Sequence, residues 1–477
     1  MNDMILILDG SPEYGLELAR RLRAEQIHAC VAPMTGAADR ICALAPQGVI
    51  LCGEGCDESL GETVAALDIP VLAIGQAAYA LLRALGGVNT DIAIANKKAQ
   101  VVLEKSELFT GAADGERFFR EAQTLMLPAD VRQTAAAGGC TVAFEDSQKK
   151  KYGVQFEPER NDPQGSAILM NFALDICQCT RTWTLEAALS QAEEAIGRAA
   201  AQGGHAICAV SGGVDSALCA LLAHRAFGER MTAVFVDTGL MREGETDAVQ
   251  ATLEALDIPV QHVDLSGEIL QGLRHKYAME EKRTVVVERL YAEMLRLSAA
   301  IKGRKTLILG TNYEDYLQSG SGAPKWNGSG MTVIEPLTDL FKDEVRAAGR
   351  MLGMDEALVD RKPFPVLGLG ARIVGEVTGE RLCALRTAEC IFREEIEQAG
   401  LERRLYKYFP VLIGGETLGK EFMVLRAVTL SGGLLMPARL PYDLVERTVS
   451  RIQAQLPAIT RVLYDQTPSQ IGQESFN

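Results

Sequence analysis

The sequence predicts an α/β protein of two or three domains, and three observations carry that prediction. The chain has 477 residues, more than one hydrophobic core usually organises. Short apolar runs bounded by Gly, Pro or Asp alternate with helix-period segments, and they do so in two separate stretches. In the second stretch a Gly-Gly turn lies between an apolar strand and a helix, the position of a ligand-binding turn in open sheets.

The elements follow in order. Met4–Leu8, Gly48–Leu51 and Pro70–Ile74 read as buried strands, and Tyr14–Arg23, Thr63–Leu67 and Ala77–Leu85 as the helices between them. The pattern turns helical from about Asn171 through Cys177, and a further helix over Leu185–Ala201 leads into a new strand, which places a boundary near Arg181. Strands at Ala206–Val210, Thr232–Val236, Pro259–Val263 and Thr306–Leu309, with helices such as Ala217–Ala226 and Glu245–Leu256, predict a doubly wound sheet that binds ligands at its carboxyl edge. Ser319–Met331 is rich in Gly and Ser, carries Lys325 and Trp326, and reads as a lid or a surface loop. A Pro- and Gly-rich run, Pro363–Gly370, opens a last module of mixed helices and short strands. The expected domains are residues 1–180, 181–361 and 362–477.

Composition narrows the function. A formal net charge of -15 repels polyanions, and no basic groove with interleaved aromatics offsets it, so nucleic acid is not an expected partner. A nucleotide is compatible, because backbone N–H groups at a helix N-terminus bind phosphate whatever the net charge. The eleven cysteines are scattered, several inside apolar runs, which suggests a reduced, cytoplasmic protein. Cys177 and Cys179 have no companion histidine or second cysteine pair and read as structural. No signal peptide precedes Met4–Leu8 and no apolar stretch is long enough to span a bilayer, so a cytoplasmic location away from membranes is expected.

The strongest local signal is Ser211-Gly212-Gly213-Val214-Asp215-Ser216, followed by Ala217. Two adjacent glycines let backbone approach a phosphate, and the serines add hydroxyl donors. Asp215 would repel that phosphate unless a Mg²⁺ ion lay between them. No lysine follows the glycines, which separates the run from the G-x-x-x-x-G-K-[ST] loop. Asp237, with Val236 at the end of a strand, suits Mg²⁺ or a ribose, and equally a turn.

At these residues the sequence resembles the ATP-pyrophosphatase, or PP-loop, superfamily, whose signature Ser211–Ser216 matches in full. Val234–Leu240 with Arg242, Gly310-Thr311 with Asp315, Glu335-Pro336-Leu337, Phe341–Arg346 and Pro363–Gly370 extend the likeness to the GMP synthase family in order and approximate spacing, from Ile5 to about Asp465. The resemblance implies a class I glutamine amidotransferase-like domain, a doubly wound ATP-pyrophosphatase domain, and a small α+β C-terminal module that makes a homodimer and helps bind xanthosine monophosphate (XMP). It implies ATP and Mg²⁺ as cofactors, adenylation of the purine C2 oxygen, and displacement of AMP by ammonia. Ser211, Gly212, Gly213, Val214, Asp215, Ser216, Ala217, Val236, Asp237 and Gly310 would hold ATP. Asp215 would hold the metal, and Lys342 and Lys325 would offset the charge of the transition state.

Two parts of the family pattern are altered. Gly75 stands where the amidotransferase nucleophile is a cysteine, and the Phe-His-Pro-Glu run reads Phe156-Glu157-Pro158-Glu159, so only Glu159 remains of the triad. The one histidine before residue 200, His28, lies in the first βα unit. Loss of glutaminase activity follows, with ammonia taken free or from a separate glutaminase. At the substrate end, a Lys-Ser-His-His-Asn run is reduced to Lys325-Trp326-Asn327, Val366 and Leu367 replace a Gly-Pro pair, and Lys-Pro-Pro-x-Thr-Ile-Glu has become Gln466–Gly472. These changes leave open a different purine-like carbonyl substrate, or a non-catalytic nucleotide-binding regulator.

Overall fold

The computed structural model describes residues 2–10, 12–158, 163–361, 366–415, 420–431 and 434–470. The chain forms two compact units, Met1–Ala188 and Leu189–Asn477.

The first unit is built on a nine-stranded mixed sheet. Its strands are β1 (Asn2–Asp9), β2 (Ala29–Pro33), β3 (Pro46–Cys52), β4 (Val71–Ile74), β5 (Val88–Leu103), β6 (Gly115–Met126), β7 (Arg132–Ala137), β8 (Cys140–Asp146) and β9 (Lys151–Val154), in the order β2-β1-β3-β4-β9-β8-β7-β5-β6. From β2 to β9 all neighbours run parallel, and from β9 to β6 all run antiparallel. Of the strands with parallel neighbours, β1, β3 and β4 are the apolar runs visible in the sequence, because strands covered on both faces carry no polar alternation, while β2 and β9 were not singled out there. Leu6, Leu8, Val49, Leu51, Val71 and Ala73 pack with Leu81 and Leu82 of the helix Ala77–Ala84. The helix predicted at Thr63–Leu67 spans Glu58–Ala65, started by Asp57, whose side chain accepts from the Leu60 N–H at 2.8 Å. A helical turn of π type, Asn171–Ile176, ends the unit's last helix, and Cys177 and Cys179 beyond it are buried. Burial pushes both thiols up, Cys179 to about 12, so they stay protonated and poor as metal ligands.

The second unit holds an all-parallel sheet of β10 (His205–Val210), β11 (Met231–Asp237), β12 (Val260–Asp264), β13 (Lys305–Ile308) and β14 (Met331–Ile334), ordered β12-β11-β10-β13-β14. Successive strands are added outward on one side of β10 and then on the other. The topological switch point therefore lies at the end of β10, where the Gly-Gly turn follows. The turn feeds the helix Val214–Phe227, buried on all sides from Ser216 to Ala223.

Within the same unit, β15 (Lys407–Gly415), β16 (Lys420–Ser431), β17 (Leu434–Pro437), β18 (Ile459–Tyr464) and β19 (Ser469–Gln470) form a second sheet, antiparallel except where β18 joins β16. Helices Gly379–Gln398 and Tyr442–Gln455 supply Leu385, Phe392 and Ile452 to its core. That core also contains Leu240, Leu265, Ile269 and Val286 from the parallel-sheet region. Among the described residues, no helix is long and apolar enough to cross a membrane.

Candidate functional site

The end of β10 brings together most of the residues singled out in the sequence. Ser211 leaves the strand and its N–H donates to Ser216 Oγ at 3.1 Å, while Ser216 Oγ donates to Gly213 O at 3.1 Å. The two serines thus brace the turn from inside. Gly213 precedes the helix, Val214 is buried under it, and Ala217 N–H makes an early helical bond to Gly213 O at 3.1 Å. Gly310, after β13, lies against this first turn so closely that a Cβ there would meet Ser216 N at 2.9 Å and Asp215 C at 3.1 Å. Glycine is required at 310 by that approach, not by its backbone torsion.

Asp215 projects from the first helical turn and is ligated by protein groups on both oxygens. Lys342 Nζ pairs with Oδ2, and Asn312 Nδ2 donates to Oδ1 at 3.2 Å. Lys342 is the first residue of the helix Lys342–Met351, where a cation opposes the helix dipole. Its cost is offset by Asp215 and by the acidic first turn, where Glu344 accepts from the Phe341 N–H at 2.8 Å. Phe341 fixes the start of this helix by packing edge-on against Tyr313 at 4.9 Å. Asn312 in turn caps the helix Tyr313–Ser319, accepting from the Asp315 N–H at 2.9 Å. Burial, with the nearby charge of Asp215, raises the Asp315 carboxyl above its usual range, against the pull of its backbone hydrogen bond and Lys342. Two helix N-termini, a lysine and two carboxyls therefore converge at the switch point. That combination suits a polyphosphate carried with a divalent cation.

The donor chemistry fits Mg²⁺. This ion is commonly held by one or two carboxylates together with substrate phosphates, and Asp215, with Asp315 beside it, supplies that set. Asp237 ends β11 and accepts from Gly239 N–H at 2.7 Å and Thr246 Oγ1 at 3.0 Å, local hydrogen bonds that shape the loop as a turn residue does. Val236 is half-buried and packs on the core. Lys325 is exposed and makes no ion pair among the described residues. Its neighbour Trp326 packs on Tyr291 at 4.6 Å, and Glu335 holds the start of the segment through Ser321, Gly322 N–H at 2.9 Å and Thr311 at 2.6 Å. Asn312 and Arg361, which donates to Gly212 O at 2.9 Å, were not singled out as site residues in the sequence. Each lies about a hundred residues or more from its partner in the chain, and only the polar residue after Gly310-Thr311 was a signal.

In the first unit, Gly75 joins β4 to the helix Ala77–Ala84 with φ +63°, and a Cβ there would meet nothing within 4 Å. A recess of about 380 Å³, counting its open mouth, is lined by Tyr14, Glu54, Gly75, Arg120, Gln155 and Glu157 among others. Glu157 is buried, accepting from Tyr14 OH at 3.2 Å and lying 3.4 Å from Arg120 Nε, while Arg120 stacks over Tyr14 at 4.6 Å. Among the described residues no imidazole lines this recess, and the thiol that does, Cys52, ends β3 with its Sγ directed to Leu8 O at 3.8 Å, away from the turn at Gly75. Glu159, Pro363–Pro365, Ile471 and Gly472 lie outside the described residues.

An open parallel sheet with a Ser-Gly-Gly-x-Asp-Ser loop at its switch point defines the second unit as a PP-loop nucleotide-binding protein. Consistently, the NAD synthase family model matches residues 189–372. Over nearly its whole length the chain is similar to proteins described as GMP synthase [glutamine-hydrolyzing]. That of Geobacillus kaustophilus (strain HTA426) is 34% identical, covering 98% of this chain and 98% of the relative. Those of Bacillus subtilis (strain 168) and Acetivibrio thermocellus are each 34% identical over 98% of this chain, covering 97% and 98% of the relative. The chain belongs to the GMP synthase family, a family of ATP-dependent ligases.

Proposed function

We propose that the chain is a GMP synthase-like ligase that uses ATP to adenylate a purine nucleotide carbonyl, XMP in first place, and aminates it with ammonia. The observation that carries this reading is the contact of Asp215 with Lys342 directly in front of the Ser211–Ser216 loop, at the N-termini of two helices. In it the loop N–H groups and Lys342 bind the β- and γ-phosphates, and Asp215 would hold Mg²⁺, which when bound would supply Lewis-acid neutralisation of charge on the phosphates. The carbonyl oxygen attacks the α-phosphorus and expels pyrophosphate. Ammonia then adds to the same carbon, the C–O bond to AMP breaks, and protons leave to water. Lys342, held at the front of the site by Asp215, stabilises charge that grows on the leaving group.

The first unit takes no part in making ammonia in this reading. Gly75 offers no nucleophile, Glu157 replaces the proton shuttle, and Arg120 lies against the Glu157 carboxylate in the recess. Residues 1–180 serve as a degenerate amidotransferase-like scaffold, 181–361 as the ATP-pyrophosphatase domain and 362–477 as the dimerising module of a cytoplasmic homodimer. Exposure of Lys325 favours one rival, an enzyme of the same chemistry acting on another purine-like carbonyl.

The test replaces Asp215 by Asn, which keeps the Asn312 contact and removes the charge. Release of AMP and pyrophosphate should fall by at least about 100-fold, with the thermal midpoint within a few degrees of the parent. Turnover at the parent rate would show that this loop is not where ATP is cleaved.

A further inference from the structure

We propose that Arg361, locked by Glu245, is a positioning residue that holds the Gly212–Gly213 peptide with its N–H turned toward the pyrophosphate half of ATP. This rests on the ATP reading above and adds to it the group that keeps the loop in its binding conformation.

The Gly-Gly sequence leaves the loop with a conformational weakness. A peptide between two glycines can flip at little cost, because neither flanking residue resists a change in its torsions. In one orientation the loop offers an N–H to an incoming anion, and in the other it offers a carbonyl oxygen, which repels it. Something outside the loop must choose.

Arg361, just after the helix Glu356–Val359, is placed to choose. Its Nη1 donates to Gly212 O at 2.9 Å and its Nη2 to Glu245 Oε1 at 3.0 Å, a planar fork satisfied on two arms at once. Glu245 is buried, and its second oxygen accepts from the Arg242 N–H at 3.1 Å, so the carboxylate is itself fixed. In a trans peptide C=O and N–H point in opposite directions, and the chain has no cis peptide among the described residues. Drawing Gly212 O back onto Arg361 therefore turns Gly213 N–H to the far side. Among the described residues neither Gly212 nor Gly213 N–H has a protein acceptor. Gly212 sits at φ +82°, and a Cβ on it would lie 2.3 Å from Val249 Cγ2 and 3.0 Å from Arg361 Nη1, so the guanidinium is packed behind the loop. Its pairing with Glu245 keeps it there instead of letting it swing forward to the phosphate.

Calorimetry on the full-length chain tests this with two probes, inorganic pyrophosphate with Mg²⁺ and adenosine, applied to the parent, Arg361→Lys, Arg361→Gln and Glu245→Gln. Lysine keeps the charge but cannot fork, so both Arg361 variants should bind pyrophosphate about ten-fold or more weakly, and Glu245→Gln less severely. Adenosine, which lacks phosphate, should bind within about two-fold of the parent throughout. Parent-like pyrophosphate affinity in Arg361→Lys would overturn the assignment. Equal weakening of both probes would also overturn it, as general damage to the fold. A parent that binds neither pyrophosphate nor adenosine would instead refute the ATP reading, and this inference with it.

Discussion

Adding one methyl group at Gly310 should damage ATP cleavage without touching any charged residue. The Cβ of Gly310→Ala would lie 2.9 Å from Ser216 N, 3.0 Å from Ser216 Cα and 3.1 Å from Asp215 C. The closest of these is about 0.5 Å short of ordinary contact. All three atoms belong to the backbone of the helix that carries Asp215, so no side chain can swing aside to make room. The first helical turn and β13 must separate, at a cost typical of overpacking, about 1–3 kcal/mol. For a unit of this size that lowers the thermal midpoint by about 2–5 °C. A displacement of about half an ångström between Asp215 and the groups facing it should reduce AMP and pyrophosphate release about ten-fold. Pyrophosphate release with ATP and ammonium, read beside a melting curve, measures both. If Gly310→Ala melts and turns over like the parent, the close approach of β13 to the phosphate loop is not part of the working site.

Gly197, inside the helix Leu185–Ala201, has no atom within 4 Å of an added Cβ and ordinary helical torsions. Gly197→Ala should therefore stabilise by about 0.5–1 kcal/mol, seen as a higher denaturation midpoint with unchanged turnover. Lys282 is fully buried with Nζ donating to Ile373 O at 2.7 Å, and burial, aided by Arg381, lowers it to about 8. Below about pH 8 both folded and unfolded states carry its charge, and the parent bears the full burial cost. Between about pH 8 and 10.5 the unfolded state alone stays protonated, so this lysine's contribution to stability improves as pH rises. Urea denaturation of the parent and Lys282→Met should show the parent's stability rising relative to the variant's over that interval, and a constant difference would refute the assignment.

The parallel strands were legible because burial on both faces writes itself as an unbroken apolar run, as in Val71–Ile74 and Ala206–Val210. The antiparallel half of the first sheet was not. β5, reading NTDIAIANKKAQ in its middle, carries charged and polar residues without a clean alternation. The parallel strand β14 was missed as well, being four residues long and starting at Met331, the last residue of the segment read as a lid or loop. At the site, the Ser211–Ser216 loop was visible because its residues are contiguous. The groups that hold it were not, since Asn312, Lys342 and Arg361 reach it from 97, 127 and 149 residues away. Lys342 entered through its family motif alone. Lys325, chosen the same way, lies exposed without an ion pair among the described residues. The open space and the positive φ at Gly75 were equally invisible, because a sequence shows which side chain is missing but not whether the turn that would present it survives.

The most direct test of the account follows nitrogen. The purified full-length chain is given ATP, Mg²⁺ and XMP with glutamine labelled at its amide, and then with ammonium chloride. The account predicts no glutamate release and no labelled product from glutamine, since Gly75 and Glu157 provide neither thiolate nor base. With ammonium it predicts an aminated purine nucleotide, AMP and pyrophosphate in equal amounts, at a rate that climbs with pH as neutral ammonia becomes available. Release of glutamate by the chain alone would contradict the loss of the glutaminase. Absence of ATP cleavage with ammonium across XMP and related purine nucleotides would contradict the ligase itself.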